Sequence, residues 1–334
     1  MLDGLWVKVK AEMKDGSRIV DHADCGMSFL KYRFKKNGSV EQSTNPLFNQ
    51  DKQNYNLSNN VLTIGTVKYD VLKLSGDTLK IAEITPNTDD SKIKAFYFVK
   101  TQSVATPVKR FYNDAIKDSV YDANNFLFPE FDAHIDELMK LIPGPYQKSV
   151  LQVRFIVNKE GKIKDLTILK QDSTNEDFTR SVVDGFKSSN SFWLAARIGN
   201  RPVNTSVDLI LTFTSVPVVG KRTMNPGTMN AASVQCPFLL PVAFGKPISG
   251  KEMQLDDSYF NMAAAEVEKQ NYAKAIEYLT QCVRVNDIDL DAYYLRALCN
   301  LKLGNKDKAC SDWTILSRLG QVPATKNLAN YCKN

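Results

Sequence analysis

The sequence predicts a multidomain α+β protein: a small antiparallel β-barrel, then a β-β-α-β unit, then all-α helical hairpins. Three observations carry this. Apolar residues recur with period two through short segments over the first hundred residues. Between Val153 and Phe213 the pattern runs strand, strand, helix, strand. Near the end, a shift of thirty-four residues aligns Tyr259 with Tyr293 and Ala263 with Ala297. At 334 residues the chain is also longer than one ordinary domain.

Composition narrows the function. Apolar residues make up 43% and charged residues 24%, as in folded protein. Lys and Arg total 43 against 37 Asp and Glu, a net +6 with no basic run, so nucleic acid is not expected as a partner. The longest apolar stretch, Cys236 to Phe244, is broken by proline and far short of a membrane span. Membrane association is therefore expected only through a partner or an anchor outside this chain. The two histidines, His22 and His134, share no motif, and no nucleophile–base set or phosphate loop appears. No catalytic residue, metal or cofactor is expected, and function should rest on surfaces.

In the first segment, residues 1–104, Leu5, Val7 and Val9 alternate with Trp6, Lys8 and Lys10. Asn37-Gly38 is a strong hairpin signal between strands at 29–36 and 39–42. Further strands are expected at 61–64, 67–74, 79–84 and 95–101, with Ser75-Gly76-Asp77 as a tight turn. On Gly4-Leu5-Trp6, Tyr32-x-Phe34-x-x-Asn37-Gly38 and Leu72-x-Leu74-x-x-Asp77-x-Leu79, this segment resembles the lipocalin-like domains. The resemblance implies a barrel closed at one end by the tryptophan. Such a barrel either holds a small apolar ligand or is filled by its own side chains and serves as a docking module.

The second segment spans 105–216. From Pro107 to Leu141 the spacing of Phe111, Ala115 and Ile116, then Ile135, Leu138 and Met139, predicts helix, with Pro129 between the two runs and Pro143-Gly144-Pro145 ending the second. Val153, Phe155 and Val157 alternate into a turn at Lys159-Glu160-Gly161, and Ile163 to Leu169 returns. Ser173-Thr174-Asn175-Glu176 reads as a capping box for a helix burying Phe178, Val182, Val183 and Phe186. The closing strand alternates through Val203, Thr205, Val207, Leu209, Leu211 and Phe213.

Residues 128 to 214 resemble the carboxy-terminal domain of the TonB family of energy transducers. The resemblance rests on Phe128-Pro129, Val153-x-Phe155-x-Val157-x-x-x-Gly161-x-Ile163, Phe192-Trp193-x-x-Ala196 and Gly199-x-Arg201-Pro202-Val203; Ala195 stands where the family commonly has proline. It implies a sheet edge that accepts an extended segment of an outer-membrane receptor or transport component in the periplasm. Val203 to Phe213 is the expected edge, with Arg197 and Arg201 as clamps for acidic groups; the same edge could seat a homodimer. The family's amino-terminal anchor and proline-rich spacer are not seen, so partner binding is expected rather than force transduction.

Residues 217–250 carry Pro217, Pro226, Pro237, Pro241 and Pro247 with four glycines and read as an extended connector whose Cys236–Leu240 run packs on a neighbour. The last segment, 251–334, resembles the tetratricopeptide repeats. The thirty-four-residue shift also pairs Ala275 with Ala309, Leu279 with Trp313 and Cys282 with Leu316, with inter-helix turns at 271–275 and 304–309 and a capping helix at 324–332. Such repeats imply a partner-binding surface, to which Tyr259, Tyr293 and Tyr294 are assigned. Asp287, Asp289 and Asp291 lack the glycine and glutamate of a calcium loop and read as solvated loop. The six cysteines read either as buried free thiols on helices or, for Cys310 and Cys332, as a disulfide, which would require an oxidising compartment; the amino terminus shows no signal segment, as in a cytosolic protein or a mature exported one whose leader was replaced. The resulting expectation is a periplasmic, non-enzymatic interaction protein. Its alternatives are a carrier of a small apolar ligand and a self-associating envelope scaffold.

Overall fold

In the computed structural model, residues 2–20, 29–48, 51–101, 109–142, 149–172, 176–218, 227–235 and 248–332 are described. His22, Cys25, Pro143-Gly144-Pro145, the first three residues of the expected capping box at 173–175 and Cys236–Leu240 lie outside them.

Eight antiparallel strands close a barrel in sequence order: β1 (Gly4–Met13), β2 (Lys31–Phe34), β3 (Ser39–Ser43), β4 (Asp51–Ser58), β5 (Val61–Ile64), β6 (Val67–Ser75), β7 (Thr78–Glu83) and β8 (Lys94–Lys100), with β1 pairing both β2 and β8. Closure leaves the barrel no free edge. Trp6, Tyr32, Phe34, Val40, Leu62, Leu79, Ile81 and Phe98 are buried together inside it, and Trp6 Nε1 donates to the Leu2 carbonyl at 2.6 Å. β4 has no counterpart in the hydropathy pattern: only Tyr55 and Leu57 break a polar run, and six of its eight residues are exposed.

The stretch expected to be helical from Pro107 begins instead as a hairpin of β9 (Arg110–Asn113) and β10 (Asp118–Asp122). Asn113 makes the difference. Its Oδ1 accepts from Ala115 N (3.0 Å) and Ile116 N (3.1 Å), forming a side-chain turn, and Lys117 follows at φ +50. Helix appears only later, as α1 (Ile135–Lys140), after the short strand β11 (Glu130–Phe131).

β12 (Ser149–Val157) and β13 (Ile163–Gln171) form the next hairpin, followed by α2 (Glu176–Ser188). Short ladders β14 (Trp193–Leu194), β15 (Arg197–Ile198) and β16 (Arg201–Pro202) lead into the long β17 (Asn204–Val218). The sheet order is β13-β12-β17-β10-β9, with β10 and β17 parallel. α2 covers one face, through Phe178 against Phe213 (5.1 Å between ring centres) and Phe186 against Phe155 (5.4 Å). At the β12–β13 turn, Gly161 sits at φ +73, and a Cβ there would lie 2.3 Å from the Trp193 carbonyl oxygen, so only glycine fits.

The expected connector at 217–250 is partly strand: β18 (Gly227–Gln235) pairs antiparallel with β17 from Ile210 to Val218. Helices α3 (Gly250–Glu268), α4 (Tyr272–Val285), α5 (Leu290–Lys302), α6 (Lys306–Arg318) and α7 (Val322–Tyr331) complete the chain. No helix among the described residues is long and apolar enough to cross a membrane.

The barrel and the sheet unit share one core. Phe131 N donates to the Leu47 carbonyl (2.7 Å), and Phe48, Phe131, Phe155 and Trp193 stack in a continuous aromatic cluster. Above it Lys31, 2% exposed, donates to Glu130 (2.9 Å) and to the Pro46 carbonyl (2.7 Å), and Arg33 binds the other Glu130 oxygen. Desolvation opposes charge on Glu130, yet Lys31 and Arg33 together hold its carboxyl below the ordinary glutamate range. Glu130→Ala strands a buried ammonium and should destabilise the chain by about 3–5 kcal/mol in denaturant unfolding. A lowered folded pKa gives stability that is full above the unfolded glutamate value and lost as pH falls through the folded one. The acid limb of a stability–pH curve should therefore flatten in Glu130→Gln.

Candidate functional site

Two surfaces can receive a partner: the edge of the sheet and the face of the repeats. The expected edge strand is not an edge. β17 pairs with β12 along 205–213 on one side, and with β10 at 204–206 and β18 from 210 onward on the other. Thr205, Val207, Leu209, Leu211 and Phe213 are fully buried, and Val203 packs with Leu127 and Ala196. These alternate residues are core against α2, so they neither read a peptide nor form a dimer seam. On the opposite face Asp208 is held by Arg154 in a two-pronged ion pair (2.6 and 2.7 Å).

Arg197 and Arg201 are exposed, facing each other's neighbours across the two-residue ladder β15·β16. They serve different hollows. Arg201 lines a cavity of about 370 Å³ with Arg110, Asp118, Lys159 and Asn204, whereas Arg197 lines a smaller one beside Arg33, Glu130 and Phe128. The lining of the first hollow is net positive, and its one carboxylate, Asp118, is held below the usual range by the Ser119 backbone N–H, by Asn204 (3.1 Å) and by Lys159 (3.2 Å). The two arginines thus line separate hollows rather than one.

One open edge lies on the other hairpin strand; β9 and β18 are likewise paired on one side only among the described residues. Among the described residues β13 pairs only with β12, and most of its nine residues are exposed or half-buried. Its ladder skips Leu169, a bulged residue that is 44% exposed, between Ile168 and Lys170. Sequence reading passed over this strand as an edge because its hydropathy says only that it is a strand.

In the helical segment every aligned pair from the thirty-four-residue shift except the tyrosines is fully buried: Ala263 and Ala297, Ala275 and Ala309, Leu279 and Trp313, Cys282 and Leu316. Small residues let successive helices approach, and the large ones fill the space between hairpins. Tyr293 is buried in this core beneath Arg296, and Tyr259 and Tyr294 pack against it; burial pushes the Tyr294 phenol up to about 12. Tyr293 is therefore core rather than surface, while Tyr259 and Tyr294 are half-buried. The exposed large apolar residues of this segment are Met253, Leu255 and Met262 on α3, Leu298 on α5, Leu303 just after it and Tyr331 on α7.

Three devices tie the array together. Arg296 grips Asp312 with two hydrogen bonds (3.0 and 2.7 Å) and reaches Thr280, joining α4, α5 and α6. Cys310 and Cys332 form a disulfide across α6 and the end of α7, with Cα atoms 5.8 Å apart. The α6–α7 turn also docks on the barrel: Arg18 N donates to Gly320 O (3.0 Å), Gln321 Nε2 to Arg18 O (2.9 Å) and Val322 N to Ser17 Oγ (2.9 Å). Of the three loop aspartates, Asp289 caps α5 by accepting from Ala292 N (3.0 Å) and lies beside Asp256 and Cys282; burial pushes Asp289 up to about 6 and the Cys282 thiol up to about 12.

Arg296→Ala leaves the Asp312 carboxylate, which is 5% exposed, without its cation. We expect a loss of about 3–5 kcal/mol in the helical unfolding transition followed by circular dichroism, and a markedly smaller loss in the Arg296→Leu, Asp312→Leu double variant.

Residues 256–289 and 291–319 each match a family model described as Tetratricopeptide repeat. No curated protein matches the chain. The chain thus carries tandem tetratricopeptide repeats over residues 256–319, a module that mediates protein–protein interaction, behind an eight-stranded antiparallel barrel.

Proposed function

We propose that this chain is a non-enzymatic interaction protein of a bacterial periplasm, in which a sheet unit resembling the TonB carboxy-terminal domain and the repeats bind one transport-machine partner. The observation that carries the reading is the pairing of an interaction module with a one-sided sheet strand. An outer-membrane receptor's extended segment adds to β13, where backbone N–H and C=O groups supply affinity and the exposed side chains supply register. The apolar residues of α3 and α5, Met253, Leu255, Met262 and Leu298, supply the second contact.

Three features support the surroundings of this reading. A disulfide closing the repeat array suits an oxidising compartment. The barrel interior is packed with aromatic and aliphatic side chains, which suits a docking body better than a ligand carrier. Hydrogen bonds between its Ser17 and Arg18 and the α6–α7 turn hold the repeats against it, so both surfaces would meet a partner together.

The test is affinity purification from detergent-solubilised envelopes with the full chain and two variants. Leu169→Pro interrupts the outer edge at a bulge, where proline spares most of the β12 ladder. Met262→Glu charges the repeat face. An envelope protein retained by the wild type and lost with both variants is the expected result. Partners unaffected by Leu169→Pro would remove strand addition from the reading. Partners unaffected by either would remove the reading altogether.

A further inference from the structure

The corner where α3, α4 and the α5 amino terminus meet brings together Asp256, Cys282 and Asp289. One ligand atom from each lies within 4.8 Å of the others. Asp256 is 6% exposed; its Oδ2 accepts from Asn286 Nδ2 (2.8 Å), while its Oδ1 is buried with no hydrogen-bond donor. A carboxylate oxygen sequestered without a donor is costly, and here it sits beside a second, half-buried carboxylate. The nearest lysine contact from the barrel, Lys92, reaches Asp291 (3.4 Å). Asp256 and Asp289 also line a cavity of about 290 Å³ together with Asp257 and Asp291.

We propose that Asp256, Cys282 and Asp289 bind a divalent transition-metal ion of the zinc class. The orphaned Oδ1 is the atom such an ion would satisfy, and the cavity with its outer aspartates gives a cation a route in and raises its local concentration. Two carboxylates and one thiol are too few and too soft a set for calcium, which takes six to eight oxygens. A thiolate with two carboxylates, and water in the fourth position, is a tetrahedral set of the kind zinc accepts. On binding, the Cys282 thiol releases its proton to solvent as the sulfur–metal bond forms, and any proton held between the carboxylates leaves with it; no electron is transferred. The ion would pin α3, α4 and the start of α5 to one another, fixing the first repeat against the second.

The test uses the full chain, dialysed free of metal, with zinc as ligand and cobalt(II) as spectroscopic probe. One zinc retained per chain is expected, and cobalt should produce a thiolate-to-metal charge-transfer band. Cys282→Ser should abolish that band and Cys299→Ser, at the other described free cysteine, should leave it. Asp256→Asn and Asp289→Asn should weaken binding by about ten-fold or more. Asparagine still caps a helix, so Asp289→Asn should fold even if Cys282→Ser does not. No zinc retained, zinc retained without the cobalt band, a band that survives Cys282→Ser, or unchanged affinity in Asp289→Asn would each overturn the proposal.

Discussion

Trp193 is the residue on which the first two hundred residues converge. Its ring touches Phe48 from a barrel loop, Phe131 from the strand after the barrel, and Phe155 from the centre of the sheet, while its Nε1 donates to Ser189 Oγ (2.8 Å). Rings packed edge to face gain from both area and quadrupole, and together they make the barrel and the sheet unit share a single core. The Lys31–Glu130–Arg33 cluster lies beside this joint and sets its register. A buried ion pair adds little net stability over an apolar one, but a mismatched docking would strand charges, so it excludes other orientations. Even the β12–β13 turn answers to Trp193, since Gly161 is glycine because the tryptophan's backbone fills the space a side chain would need.

The repeats depend on a different economy. Six alanines at full burial allow close helix approach, and Trp313 and Leu279 fill the gaps between hairpins. Two repeats give a thin array, and its α6–α7 end is secured: a disulfide ties α6 to the end of α7, and the turn between those helices bonds to the barrel backbone. The Arg296–Asp312 fork, buried and two-pronged, holds the middle. Met253, Leu255 and Met262 of the first helix stay exposed.

The contrast between β17 and β13 shows where sequence reading stops. Strict alternation from Val203 to Phe213 correctly marks a strand with one buried face, because side chains on a strand point to opposite sides in turn. Whether that strand is an edge depends on its hydrogen-bonding neighbours in the plane of the sheet, and alternation carries no information about that direction. β10 comes from some eighty residues earlier, out of a stretch whose spacing resembled helix until Asn113 turned it. β18 comes from a segment whose prolines suggested a connector. Both occupy the side of β17 that would otherwise be open, so the one-sided strands of this sheet among the described residues are β13, β9 and β18.

By itself the sequence determined the elements whose cause is local or periodic: the Asn37-Gly38 hairpin, the short barrel strands with their turns, the strand–strand–helix–strand order, and the thirty-four-residue repeat with its small residues. Those depend on turn chemistry, on period two against period 3.6, and on burial, each of which is written in neighbouring residues. Only the tertiary structure decided the rest: that polar β4 completes the barrel, that β17 lies inside its sheet, that Tyr293 is core, and that Asp256, Cys282 and Asp289 from three helices share one corner. Closure, edge position and convergence are relations between segments far apart in the chain. They are set by which surfaces must be covered once all the elements exist, and no local pattern of residues encodes that.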